Sequence, residues 1–428
     1  MRRHCDPRPF LCGILLLAGA AVAGAQAAPA QAPASAPASA PPLTMQQAVD
    51  YALAHNPALL AAQQNMFSLK GQEIEAGLRQ NPDFTVYGTN LSNPAASQTP
   101  YGYSLQVSRL FERGQKRRWR LDSAQAGTAE GTAQFHDQER QTTLAVRQAF
   151  TSMIIAKAAL KLAQENLAGY SQQLEINRTR YQAGDLGKLD FERLDLQLAQ
   201  YESDEAAAET DLGQASDQLQ TLLGYDRPRP GFDVVGDLVP PPVTGTLESL
   251  EQQALASRPD YQAAQSAVRV ADANVKLAYA NGTTDPTLEG EYDHSGTLSS
   301  YGFYVNVPLR IFDRNQGNKE VSKYQAQSSR FSETAARNQV YSDVDQAWVA
   351  YVDAKKLSER YNSHYADEAK DVLSIAEFAY QHGGLALIDY LNALEDQRTT
   401  ALNALNAYAQ TWQAIHQLSF AADSNIVP

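Results

Sequence analysis

Thiols are nearly missing from this chain. Its two cysteines, Cys5 and Cys12, both fall in the first dozen residues, so the rest can hold neither a disulfide nor a cysteine-ligated metal. Proline is absent from residues 101–227 and again from 309–427. Helices of unusual length are therefore permitted in both spans. No segment after the N-terminal region reaches 18 continuous apolar residues. A membrane-spanning helix is excluded there, and any passage through lipid has to be made by strands. Basic residues are outnumbered, 35 Lys and Arg against 48 Asp and Glu, and the net charge of −13 argues against a nucleic-acid partner.

What is present begins with an export signal. Arg2, Arg3 and Arg8 precede an apolar run over 10–23, and Ala23-Gly-Ala25 offers a small-residue cleavage site. Residues 1–25 are predicted to be removed, taking both cysteines with them. Pro-Phe-Leu precedes Cys12 in place of the small residues of a lipoprotein box, so no acyl anchor is expected. Residues 26–42 are almost wholly Ala, Pro, Gln and Ser, an extended leader that cannot bury a core.

The remainder is a tandem duplication. The first repeat is predicted over 43–224. Thr44 caps a short helix, Asn56-Pro57 breaks and restarts it, and 83–110 alternate as a β-hairpin with a polar loop. One helix then runs over 114–182, with Leu144, Phe150, Ile154, Leu160, Leu167, Leu174 and Tyr181 in a narrow stripe, often six or seven residues apart. That spacing favours coiled-coil packing, and such a helix would extend roughly 100 Å. A turn at 183–187 leads into a helix over 188–223, striped by Leu189, Leu194, Leu198 and Tyr201. Residues 225–245 form a Pro- and Gly-rich linker with a short strand at 232–235. The second repeat, 246–420, follows the same plan: hairpin 286–309, long helix 314–382, tip 383–385, helix 386–418, and a tail over 421–428. Arg258-Pro259 answers Asn56-Pro57, and Tyr301-Gly-Phe303 answers Tyr101-Gly-Tyr103.

Each half supplies two strands of a length that suits a tilted bilayer crossing. On residues 287–293, Leu288 and Tyr292 share one face, and Glu289, Glu291 and Asp293 the other. Apolar-out, polar-in alternation is the pattern of a membrane barrel strand. Four strands cannot close a barrel, so the chain is expected to oligomerise, three copies giving twelve strands.

The duplicated layout, the two Tyr-Gln-x-Gly tips and the Asn-Pro and Arg-Pro helix starts resemble the TolC-type outer membrane factors, over about residues 44–420. The strand exits, Val307-Pro-Leu-Arg-Ile-Phe-Asp-Arg-Asn-Gln-Gly317 and Leu110-Phe-Glu-Arg-Gly-Gln-Lys-Arg-Arg118, are similar to those of the heavy-metal (cobalt-zinc-cadmium) efflux branch. The resemblance implies a mostly α fold with a β-barrel portion. A homotrimer would form a 12-stranded barrel in the outer membrane of a Gram-negative bacterium and an α-barrel in the periplasm. It implies docking to a periplasmic adaptor and an inner-membrane pump of the RND type, passive export of small molecules or metal cations, no cofactor and no covalent chemistry. Type I protein secretion uses the same architecture. A periplasmic adaptor or a soluble coiled-coil scaffold are the rival readings.

The resemblance also implies the working residues. The tyrosine three before the second tip glycine is Tyr380 and the aspartate six after it is Asp389; Tyr181 and Asp190 stand at the same offsets in the first tip. Threefold rings of these carboxylates would repel one another and concentrate cations at an aperture, whereas helix N-terminal aspartates are also favoured by the macrodipole alone. Leu385 occupies the place of an arginine that locks the aperture in well-known members, and Asn392 that of a further aspartate. Closure is then expected from packing of Leu385, Leu387 and Ile388, with Lys188 as a conceivable partner of Asp389. Gly184, Asp185, Leu186, Gly187, Gly383 and Gly384 would face the adaptor or serve the turns alone. Arg113, Lys116, Arg117, Arg118, Trp119 and Arg120 fit phospholipid headgroups or a solvated helix start. Glu289, Glu291 and Asp293 would line an acidic lumen or only solvate its wall. The histidines His55, His136, His294, His364, His382 and His416 show no metal-ligand spacing, and no metal is expected.

Overall fold

In the computed structural model the described residues are 42–89 and 101–426. The predicted signal, the leader up to residue 41 and the hairpin loop 90–100 lie outside them. The described chain is mostly helical, with one small sheet.

The short helix α1 (Met45–His55) starts at Thr44, whose hydroxyl accepts from the Gln47 N–H while the Gln47 side chain accepts from the Thr44 N–H. Such reciprocal capping is worth about 1 kcal/mol. Asn56 then ends α1 and caps α2 (Pro57–Gly77), accepting from the N–H groups of Ala58 and Leu59. Strands β1 (Asp83–Thr89) and β2 (Gly102–Leu110) follow, then α3 (Lys116–Ala183) and α4 (Lys188–Leu222). The 68 residues of α3 are unbroken, and at 1.5 Å per residue they reach roughly 100 Å. In 225–245 the expected strand reduces to one parallel bridge, Leu43 with Val234.

The second repeat holds α5 (Leu247–Ser257), α6 (Pro259–Asn281), β3 (Thr287–Ser295), β4 (Leu298–Asn306), α7 (Gln316–Arg360), α8 (Ala366–Gln381) and α9 (Leu387–Ala422). The duplication reaches backbone detail. Gln115 and Asn315, the residues before the two long helices, adopt the same left-handed conformation (φ 61°, ψ 27° and φ 62°, ψ 27°). Both repeats also join helices end to end. The Asn56 amide donates to the Leu222 carbonyl at the end of α4, and Arg258 to the Ala421 carbonyl at the end of α9.

The repeats differ where the sequence predicts one helix over 314–382. A π-helical turn, Tyr361–Tyr365, separates α7 from α8, and the Ala366 N–H reaches back five residues to the Tyr361 carbonyl. The turn inserts a residue without ending the helix. Neither glycine nor proline marks it. Helix α9 likewise runs on to Ala422, past the expected end at 418.

The sheet order is β1-β2-β3-β4, all antiparallel, so the hairpins of the two repeats pair through β2 and β3. Three apolar clusters hold the helices. Ala48, Val49, Phe150 and Leu219 centre the first, and Leu250, Val344, Ile415 and Leu418 the second. The third lies at the far end of the long helices and joins Tyr170, Leu174, Leu194 and Tyr201 to Tyr380, Leu387 and Tyr390. Within this cluster the two hairpins pack on each other.

Candidate functional site at the hairpin tips and the sheet

Each tip is a helix end closed by glycine. Gly184 and Gly383 sit at φ 88° and 74°, a region open to glycine at little cost. In both, the N–H after the glycine reaches five residues back: Asp185 to the Arg180 carbonyl at 2.9 Å, Gly384 to the Ala379 carbonyl at 2.8 Å. These are Schellman closures. Gly187 and Ala386 start the return helices without side-chain caps. Asp190 and Asp389 therefore occupy uncapped first turns, where the helix dipole favours a carboxylate.

The two tip tyrosines differ in burial. Tyr380 is buried, stacks on Tyr390 with ring centres 4.9 Å apart, and donates to the Asn177 amide oxygen at 3.0 Å. Tyr181 stacks on Phe191 at the same 4.9 Å but is more exposed. Burial raises the Tyr380 phenol above its ordinary pKa, against the Arg180 guanidinium over its ring. It stays a neutral donor at physiological pH. Two further links cross between the hairpins: the Gln173 amide donates to Glu377 at 2.5 Å, and Arg398 of α9 pairs with Asp204 of α4. Asn177, Gln173, Asp204 and Arg398 carry no local sequence signal, since their partners lie about 200 residues away.

The expected closing residues divide. Leu387 is buried in the tip cluster and Leu385 is half-buried against it, so both serve the chain's own packing. Ile388, Asp389 and Asn392 remain exposed. Lys188 does not meet Asp389; its ammonium lies 3.4 Å from Glu192. Among the described residues Asp389 has no ion-pair partner. Leu189, expected in the apolar stripe of α4, is also exposed. Of the other tip residues, Gly184, Asp185, Gly187, Gly383 and Gly384 are exposed and Leu186 is half-buried.

At the sheet, strand pairing sorts the side chains by face. Ser104 is opposite Asp293, Gln106 opposite Glu291 and Ser108 opposite Glu289, which gathers the three carboxylates on one polar face. Two of them are engaged: the Ser104 hydroxyl donates to Asp293 at 2.6 Å, and the Gln106 amide donates to Glu289. The other face carries Phe84, Val86, Leu105, Val107, Tyr301, Phe303 and Val305, all exposed. Among the described residues nothing packs against this apolar patch.

Where the strands meet α3, the basic residues do not form a uniform collar. Lys116 is buried, with its ammonium 2.5 Å from Asp285 and 2.9 Å from the Thr283 carbonyl. Burial pushes the Asp285 carboxyl up, but Lys116 and the Arg113 N–H outweigh it and hold the pKa below the usual range. Lys116 is thus withdrawn from the headgroup role. Arg120 pairs with Glu112 at 2.7 Å, and Arg117 donates to the Gly77 carbonyl. The Arg118 and Lys276 cations each lie 4.8 Å from the Trp119 ring centre.

Comparisons with known proteins agree with this architecture. The family described as outer membrane efflux protein matches residues 48–225. The "probable outer membrane lipoprotein SilC" of Salmonella typhimurium is 27% identical over 58% of this chain and 56% of its own length. The "cobalt-zinc-cadmium resistance protein CzcC" of Cupriavidus metallidurans is 24% identical over 87% of this chain and 88% of its own. The chain thus spans about half the length of SilC and most of CzcC. A membrane protein of Pseudomonas aeruginosa superposes with a TM-score of 0.78 at 19% identity, covering 88% of this chain and 92% of that one. CusC superposes at 0.76 with 20% identity, covering 89% and 92%. At such identities the likeness concerns the fold.

Proposed function

We propose that three copies of this chain, whose residues 48–225 match the family described as outer membrane efflux protein, form a passive export duct across the outer membrane of a Gram-negative bacterium. The sheet carries this reading. Among the described residues its order leaves β1 and β4 without outer partners, one face is exposed and apolar, and the other is polar. Lipid tolerates neither open edge. Three four-stranded sheets joined edge to edge supply twelve strands, enough to close around a lumen. Exposed Leu60, Phe67 and Ile74 on α2, seven residues apart, offer a heptad seam for a neighbouring copy. The long helices then continue the lumen as a periplasmic α-barrel that narrows at the tips.

In this assembly Glu289, Glu291 and Asp293 line the lumen, and three copies of Asp389 ring the aperture, joined by Asn392. The exposed tip turns, Gly184 to Gly187 and Gly383 to Gly384, meet a periplasmic adaptor that links the duct to an inner-membrane RND pump. Arg113, Arg117, Arg118 and Trp119 stand at the periplasmic boundary of the outer membrane. No catalytic step is needed: the pump does the work and the duct conducts. The cargo we assign is metal cations, by analogy with the cobalt-zinc-cadmium resistance protein CzcC and the "cation efflux system protein CusC" of Escherichia coli. The amphipathic sheet and paired hairpins weigh against a soluble scaffold and a single-hairpin adaptor.

Deleting the chain from its host and measuring retained cobalt, zinc and cadmium tests the assignment. Raised retention of one or more metals is expected. Unchanged metal with raised retention of an organic dye would move the cargo to drugs.

A further inference from the structure

Where α9 ends against the start of α6, α3 passes alongside and a cavity of ≈ 480 Å³ lies between the three helices. Its lining includes Arg140, Arg147, Gln262, His416, Ser419 and Ser424. The two arginines, one heptad apart on α3, differ in their company. Arg140 is neutralised by Asp137 at 2.6 Å and Asp260 at 3.3 Å, and donates to the Phe420 carbonyl. Arg147 is partly buried and, among the described residues, has no carboxylate within ion-pair distance, although Glu139 and Asp423 also line the cavity. A desolvated guanidinium without a counter-charge is costly.

The same wall holds unused donors. The Ser419 side chain is 4% exposed, yet its hydroxyl has no hydrogen-bond partner; the buried Ser424 hydroxyl has none either. A helical serine ordinarily returns its proton to a carbonyl one turn back, and an unpaired buried hydroxyl is destabilising. His416 adds no second cation to this wall. Burial, with the neighbouring Arg147 cation, holds its pKa down to about 3, and its Nε2 already lies 2.8 Å from the Thr151 hydroxyl. One fixed cation and two unpaired, buried hydroxyls thus belong to residues that line this cavity.

We propose that this cavity binds a small free oxyanion of the phosphate or carboxylate type, paired with the Arg147 guanidinium and accepting from Ser419 and Ser424. Guanidinium forks match such oxygens in bidentate geometry. The site touches α3 of the first repeat and α6 and α9 of the second, so an occupant would brace the junction between them. It requires only the fold and goes beyond the duct reading.

Isothermal titration of the purified, detergent-extracted full chain tests it, with inorganic phosphate and succinate as separate probes at constant ionic strength in chloride. Saturable binding of one anion per chain is expected. Arg147→Met should weaken it at least tenfold, Arg147→Lys should retain part of it, and Ser419→Ala should weaken it several-fold. Which probe binds tells phosphate from carboxylate. No saturable binding of either probe to the wild type overturns the proposal, as does binding that Arg147→Met leaves unchanged. Should Arg147→Met fail to fold, Ser419→Ala decides: affinity equal to the wild type also overturns it.

Discussion

The Tyr380 phenol donates to the Asn177 amide oxygen across 203 residues of sequence, at 3.0 Å, and so ties the second hairpin to the first beside the tips. Asn177 is 2% exposed. Tyr380→Phe keeps the stack on Tyr390 but leaves that oxygen buried and unpaired, at a cost of about 1–3 kcal/mol. The variant should fold, melt lower and conduct more in planar bilayers. Unchanged conductance with a lowered melting point would confine the bond to stability.

The Arg398–Asp204 pair is a second tie of the same kind, with side chains 15% and 28% exposed. Either single alanine substitution should loosen the hairpins. The exchanged pair, Asp204→Arg with Arg398→Asp, should restore part of the loss. A double-mutant cycle on thermal unfolding is expected to give a coupling of about 1 kcal/mol or more. Additive effects would mean that the pair does not join the hairpins.

Lys116→Met strands Asp285 beneath the sheet. Breaking a buried pair on one side costs about 3–5 kcal/mol. The loss should appear as a lower melting temperature of the detergent-extracted assembly, and Asp285→Asn in the same chain should recover part of it. A purely headgroup-binding lysine would show neither effect.

Much of this architecture is legible because it is periodic. Missing prolines, heptad-like leucines and alternating strands are repeated signals, and the Tyr-Gln-x-Gly tips occur twice. What stayed hidden has no period. The π turn at Tyr361–Tyr365 replaces no helix-forming residue, so nothing local announces it. The Lys116–Asp285 pair joins positions 169 residues apart, and α3 opens on a basic run in which Lys116 looks like its neighbours. Leu387 reads as a candidate for the aperture because the sequence shows that it is apolar but not which way its helix is turned; in the fold it belongs to the tip cluster. Arg147 was invisible for the converse reason: only the fold shows that no carboxylate answers it.

His416 sets a pH dependence. Its pKa in the fold, about 3, lies below the value near 6.5 of an unfolded histidine. The unfolded state therefore binds the extra proton as pH falls below about 6.5, and stability is lost from there down towards pH 3, by up to about 1.4 kcal/mol per pH unit per histidine. Above pH 6.5 the histidine contributes no slope. His416→Gln can still bond to Thr151 and should flatten the melting-temperature profile between pH 6.5 and 4. A profile as steep as the wild type would assign the acid sensitivity to other groups.

Single-channel conductance of the purified assembly in planar bilayers, wild type against Asp389→Ala, tests the central claim most directly. A gated duct with a carboxylate ring at its aperture predicts a small, cation-selective conductance in the wild type that rises or loses selectivity in the variant. No conductance, from a protein that stays soluble without detergent, would contradict the account.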